Sequence, residues 1–319
     1  MMPTLEQLEA AAEIVHAAMT PTPQICWPLL SARCNAEVWV KHENHTMTGA
    51  FKIRGGLVYM RALKRGATVP AGVITATRGN HGQSVALAAR RHGLTATIVA
   101  PHGNSPEKNA AMRAFGAELI EHGHDFQAAR EHAEALAADR GLHPVVPFHP
   151  LLIRGVASYG LELFRAVNDL DTVYVPIGLG SGICATIAVR DALNLRTRVV
   201  GVVAENAPAY ALSFDQGRPV TTPSSDTFAD GVACRVPEPE AVEIICRGAE
   251  RVVTVSEAEI AAAVRHYFTD THNPAEGAGS APLAALLKER ECMAAKRVGL
   301  ILTGGNIDRA LYQEMLAQA

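Results

Sequence analysis

The sequence predicts an α/β protein whose cores are parallel sheets flanked by helices. Three observations carry this. Short apolar runs alternate with stretches of helical character along nearly the whole chain, the pattern left when each parallel strand returns through a helix. Two of these runs, 72–76 and 172–176, lead directly into glycine-containing turns. Alanine is abundant and aromatic residues make up only 5 % of the chain, which suits close-packed helices.

The run Val38-Trp39-Val40 makes 37–41 the first predicted strand. Strands 72–76, 95–100 and 118–120 follow, with helices 83–91, 105–115 and 125–139 between and after them. Strands 172–176, 198–204 and 298–302 then combine with helices 182–193 and 256–268. Asp125 and Ser256 stand where N-caps belong, and Ser256 with Glu259 fits a capping box. The strand-helix units from 72 to 146 form one compact run. We therefore expect a small domain, 67–150, inserted into a large one made of 1–66 and 151–319. Residues 218–236 are the least regular stretch, rich in Thr, Ser and Pro, and are expected to form a surface loop at an active-site rim.

Composition narrows the function. The 319 residues suffice for two medium domains. A net charge of −3, from 29 basic and 32 acidic residues, gives no footprint for nucleic acid. Neither a secretory leader pattern nor a stretch of membrane-spanning length is visible, so no membrane partner is expected. The six cysteines include no CxxC pair, as in a cytoplasmic protein with reduced thiols.

Four segments carry chemistry. In Thr48-Gly49-Ala50-Phe51-Lys52-Ile53-Arg54-Gly55, Lys52 sits among small residues and one aromatic. A lysine in a tight, partly desolvated pocket loses part of its preference for charge, and its amine can attack a carbonyl to form a Schiff base. A solvated lysine at a helix start is the plain alternative. Thr77-Arg78-Gly79-Asn80-His81 follows strand 72–76 and offers backbone N–H groups to an anion at a helix N-terminus. Gly178-Leu179-Gly180-Ser181-Gly182 does the same after strand 172–176. With Glu205 at the end of the next strand it imitates a dinucleotide fingerprint, but the spacing is not Gly-x-Gly-x-x-Gly. Leu302-Thr303-Gly304-Gly305-Asn306 closes the last strand.

Taken in order, and with the lead-in Lys41-His42-Glu43-Asn44, these segments resemble the fold-type II pyridoxal phosphate enzymes. These have a two-domain, tryptophan synthase β-like fold, and the resemblance is to the short threonine/serine dehydratases and serine racemases. It covers nearly the whole chain. It implies that Lys52 holds pyridoxal 5'-phosphate as a Schiff base beside Phe51. It makes Gly178, Leu179, Gly180, Ser181 and Gly182 a phosphate cup. Asn80 would bond the ring hydroxyl, and Thr303 the pyridine nitrogen. The loop of Thr77, Arg78, Gly79, Asn80 and His81 would grip the substrate carboxylate, with Glu276 and Gly231 near the ring. A neutral hydroxyl at the ring nitrogen makes a weaker electron sink, which favours prompt elimination over transamination.

The resemblance thus implies a dehydratase (ammonia-lyase) that converts a threonine- or serine-like β-hydroxy-α-amino acid to a 2-oxo acid and ammonia by α,β-elimination. It also implies a homodimer. The sequence departs from the family pattern at several points. Arg78 replaces a small residue that in the racemases is the second acid/base, and an arginine stays charged. It could suit a dianionic substrate such as a hydroxyaspartate, clamp the α-carboxylate while an open pocket takes an aryl side chain, as in phenylserine, or point away and salt-bridge a neighbour. Val156 and Ser158 replace Gln and Thr and point to a changed pocket. Glu205 lacks its acidic companion, with Ala209 and Ala211 following, so no metal is assigned, and a divalent cation is possible but not supported. His122 and His124 have no third ligand in reach. A racemase with side elimination, a nucleotide-dependent oxidoreductase and a non-catalytic pyridoxal-binding protein are the alternatives. Because the sequence ends shortly after Gly304-Gly305, we expect hyperbolic kinetics without inhibition by a branched amino acid.

Overall fold

A computed structural model describes residues 2–317. Among these described residues ten strands form two sheets: β1 (Gln24–Cys26), β2 (Glu37–His42), β3 (Gly72–Ala76), β4 (Thr95–Ala100), β5 (Glu118–Glu121), β6 (His143–Pro144), β7 (Thr172–Pro176), β8 (Arg198–Ala204), β9 (Arg251–Val255) and β10 (Arg297–Leu302). The six-stranded sheet runs β1-β2-β10-β7-β8-β9 and the four-stranded sheet β5-β4-β3-β6. All pairings are parallel except β1 with β2. The chain thus begins the larger sheet, leaves to build the smaller one from 72 to 144, and returns to finish the first.

The central strands are the apolar runs read from the sequence. Every residue of β7 is buried, as is all of β8 after Arg198, which parallel strands covered on both faces require. The three strands not foreseen lie at the margins. β1 has three residues and β6 two, and β9 is mostly half-buried at a sheet edge. The predicted caps are present. Asp125 accepts from Ala128 N–H, and Ser256 with Glu259 makes both bonds of the capping box. The helix foreseen at 83 begins earlier, as Asn80–Arg91.

β10, last in sequence, lies between β2 and β7. Its exit therefore meets the segment that follows β2. Ala50 bridges Gly304, Phe51 N–H donates to Thr303 O at 3.0 Å, and Gly305 N–H donates to Gly49 O at 2.9 Å.

A second constraint lies beneath that segment. The helix Lys52–Arg65 crosses the helix Pro150–Ala166 at glycines: a Cβ on Gly155 would fall 2.3 Å from Arg54 O, and one on Gly55 2.9 Å from Leu152 O. This approach brings Arg54, fully buried, to Ser158 at 2.8 Å and to Glu162 at 2.6 and 2.9 Å. Its other edge binds Glu43 at 2.6 and 2.9 Å and Thr22 at 3.1 Å. Lys41, also buried, donates to Glu162 at 2.5 Å and Thr22 O at 2.6 Å. Burial alone would push the Glu162 carboxyl up, but Arg54 and Lys41 hold it down at about 2. Ser158 therefore belongs to this ion network, and Val156 is core. This corrects the expectation that the two residues reshape the substrate pocket.

Arg54→Met leaves Glu43 and Glu162 short of their shared counter-charge in a dry site. Chemical denaturation should show a loss of about 3–5 kcal/mol. A loss below about 1 kcal/mol, the scale of a solvated surface pair, would mean that the carboxylates are not desolvated.

Candidate active site

Three carboxyl ends of parallel strands converge, where α/β proteins place their ligands. Lys52 follows β2, Thr303 follows β10 and the glycine turn follows β7. Lys52 opens its helix, with Phe51 as N-cap. Its Nζ donates to Ser181 Oγ at 3.1 Å and lies 4.9 Å from the centre of the Phe51 ring. Burial lowers the amine to about pKa 8. A larger neutral fraction near pH 8 makes it a nucleophile and a base.

The glycine turn is shaped by close approaches. A Cβ on Gly178 would sit 2.2 Å from Gly231 O, and Gly180 has φ +95° with Ala241 Cβ 2.7 Å from its own Cβ position. Tyr210 OH donates to Leu179 O at 3.0 Å, and the Leu179 side chain packs on the core. Ser181 starts the helix Ser181–Ala192, whose first-turn N–H groups have no intrahelical acceptor and carry the positive end of the dipole. Tyr159 ties this turn to the lysine. Its hydroxyl donates to Gly182 O at 2.8 Å, and its ring meets Phe51 edge-on with centroids 6.3 Å apart.

From the smaller sheet comes the loop after β3. Gly79 N–H donates to Thr77 Oγ1 at 3.2 Å. Asn80 Nδ2 donates to Glu276 Oε1 at 2.8 Å, and Asn80 Oδ1 accepts from Asn306 Nδ2 at 2.8 Å. Burial pushes the Glu276 carboxyl up to about 7, against the opposing pull of Lys108 and Asn80. His81, expected among the substrate contacts, turns its ring toward Val145 O at 3.4 Å. Burial first, and Lys52 second, hold it at about 4, hence neutral.

Arg78 lies on the rim, its side chain 52 % exposed, with Nη1 4.0 Å from Asp230 Oδ1. The other oxygen of Asp230 takes Lys108 Nζ at 2.9 Å. Asp230 stands beside Gly231 in the irregular stretch expected at the rim. Lys108, on the helix Pro106–Ala114, was not foreseen; in sequence it reads as any first-turn surface lysine. Tyr159 and Asn306 also lacked a role, because only the pairing of distant segments gives them one. Among the described residues no group of three or more His, Cys, Asp or Glu is placed to hold a metal ion. Glu205 is exposed, and His122 stacks on His132. No described helix is long and apolar enough to cross a membrane.

An amine with no carboxylate on it among the described residues, beside a glycine turn that leads into a helix N-terminus, is suited to hold a phosphorylated carbonyl compound through nitrogen. A family model described as pyridoxal-phosphate dependent enzyme matches residues 15–304. The chain belongs to that family. It is 38% identical over 281 residues to an L-threonine ammonia-lyase of Geobacter sulfurreducens, covering 87% of this chain and 69% of that protein. It is 34% identical over 308 residues to an L-threonine ammonia-lyase of Thermotoga maritima, covering 96% and 76%. Among solved structures, maize serine racemase superposes with TM-score 0.91 at 26% identity, covering 99% of this chain and 97% of that one. The donor set described above fits pyridoxal phosphate: an amine for its aldehyde, a helix N-terminus and Ser181 for its phosphate, and hydroxyl and amide groups for its ring.

In cofactor-free protein, the rate at which an acylating reagent modifies Lys52, followed by peptide mass spectrometry, should rise with a midpoint near pH 8. A midpoint at the ordinary lysine value, 10.5, would show that the amine is solvated.

Proposed function

We propose that this protein is a pyridoxal phosphate-dependent dehydratase (ammonia-lyase) that converts a threonine- or serine-like β-hydroxy-α-amino acid to a 2-oxo acid and ammonia. The observation that carries the lyase over the racemase is the state of the loop at 77–81. A racemase needs a second proton carrier opposite the lysine. Thr77 is tied to Gly79 N–H, Arg78 lies on the rim, and the His81 ring is buried away. The two ammonia-lyases at 38% and 34% identity support the same reading.

Pyridoxal phosphate, when bound, supplies a carbonyl that condenses with amines and a ring that draws electrons from the substrate's α carbon. The glycine turn with Ser181 would hold its phosphate, Phe51 would lie against its ring, and Asn80 and Thr303 would meet its polar ring atoms. The backbone of Thr77 to His81 takes the substrate carboxylate. Lys52, its amine made less basic by burial, accepts the α proton. The β C–O bond breaks and the hydroxyl leaves as water, taking up one proton for the one that Lys52 has removed. The enamine so released isomerises to an imine, which water hydrolyses to the 2-oxo acid and ammonia. The arrangement of a small unit, 67–150, over a large one, a homodimeric assembly and a cytoplasmic location belong to this reading too. Light scattering tests the second.

Ammonia release by cofactor-loaded protein should be seen with at least one of L-threonine, L-serine, the hydroxyaspartates or threo-phenylserine. Lys52→Ala should lower it about a thousandfold. Recovery of racemised substrate without ammonia would replace the lyase by the racemase.

A further inference from the structure

An asparagine amide has a donor end and an acceptor end of nearly equal shape, so packing alone does not decide which faces a ligand. At Asn80 the decision starts from a backbone carbonyl. Asn306 Nδ2 donates to Thr48 O at 2.8 Å and to Asn80 Oδ1 at 2.8 Å. A carbonyl only accepts, so Thr48 fixes the Nδ2 end of Asn306 toward itself. That NH2 group in turn requires the oxygen of Asn80 to face it. The nitrogen of Asn80 is thereby delivered to Glu276 Oε1, 2.8 Å away. The backbone of Asn306 also acts on Glu276, opposing the rise that burial gives its carboxyl. One residue thus bears on both members of the Asn80–Glu276 pair. Its seat is specific: a Cβ on Gly49 would fall 2.5 Å from Asn306 Oδ1, and Gly49 has φ +67°, a conformation that glycine adopts without strain.

We propose that Asn306 is a positioning residue that sets the amide polarity of Asn80, so that the Thr48 carbonyl, in the segment that carries Lys52, dictates which atom of Asn80 faces the bound ring. This deepens the functional reading above and rests on Asn80 serving the cofactor. With the opposite polarity, the oxygen of Asn80 would face the Glu276 carboxylate and its NH2 would face the NH2 of Asn306. Both bonds would become repulsions.

The test is a double-mutant cycle read on cofactor affinity, measured by fluorescence titration of the full chain with pyridoxal phosphate. Asn306→Asp keeps the side chain's shape and removes its NH2. It should weaken affinity about tenfold, within the range for partners in one hydrogen-bond network. With Asn80→Ala already present, the same change should alter affinity less than about twofold. An equal effect in both backgrounds, no effect of Asn306→Asp alone, or no effect of Asn80→Ala would each overturn the proposal. Should Asn306→Asp not fold, Asn306→Ala in the same two backgrounds reads the same coupling. Ammonia release is assayed in parallel. Its absence from the wild-type protein refutes the lyase reading, while the affinity cycle still decides the role of Asn306.

Discussion

The position of Lys52 depends on a buried guanidinium, that of Arg54, on the same helix. Arg54 is fully buried and satisfied on both edges, by Glu43 on one and by Glu162 and Ser158 on the other. Glu43 follows β2, Glu162 lies on the helix Pro150–Ala166, and Lys41, at the end of β2, adds a second cation. Moving such charges out of water is costly and is offset only when geometry and hydrogen bonding are nearly complete. A shift of the helix Lys52–Arg65 by a fraction of a turn would strand two carboxylates. The network therefore narrows where Lys52 can stand, and the glycine contact at Gly55 and Gly155 sets the distance from which Arg54 reaches across.

A second fixation comes from strand order. Because β10 lies between β2 and β7, the turn that ends the sheet is laid against the segment preceding Lys52. Four sequence-distant pieces then share one hydrogen-bonded line, from Thr48 through Asn306 and Asn80 to Glu276. Asn80 belongs to the helix that follows β3 of the smaller sheet, while Glu276 caps the helix Gly277–Lys288 that precedes β10 of the larger one and Asn306 follows that strand. The line therefore joins the two sheets at the site itself. The rim adds ionic contacts between the same parts, with Lys108 on Asp230 and Arg78 farther from it.

Much of this was legible in the chain. The glycine turns, the asparagine loop and Lys52 stand at strand ends, and their local sequence announces them. What escaped was information held in pairs. Arg54 reads as a helix-surface arginine until the facing helix puts Ser158 and Glu162 within reach. The same facing helix turns Ser158 from a pocket residue into a ligand of that arginine. Lys108 and Asp230 lie far apart in the chain, and no periodicity predicts their meeting. The short margins β1 and β6 escaped for another reason: with three and two residues they carry too little pattern for an alternation to show.

Two lysines show why burial alone does not make a reactive group. Lys41 and Lys52 both lie where burial pulls the amine toward neutrality. Lys41 meets Glu162 at 2.5 Å, with Thr22 O and Gln24 beside it, so its protons are all spoken for and its charge is matched. Among the described residues, Lys52 Nζ has one hydrogen-bond partner, the neutral Ser181, and none of them opposes the effect of burial. Glu276 follows the same logic with opposite sign: burial raises it to about 7, while the nearby Lys108 gives its charge chiefly to Asp230. Withholding a counter-charge at Lys52, while supplying one at Lys41, is the physical difference between the two buried lysines.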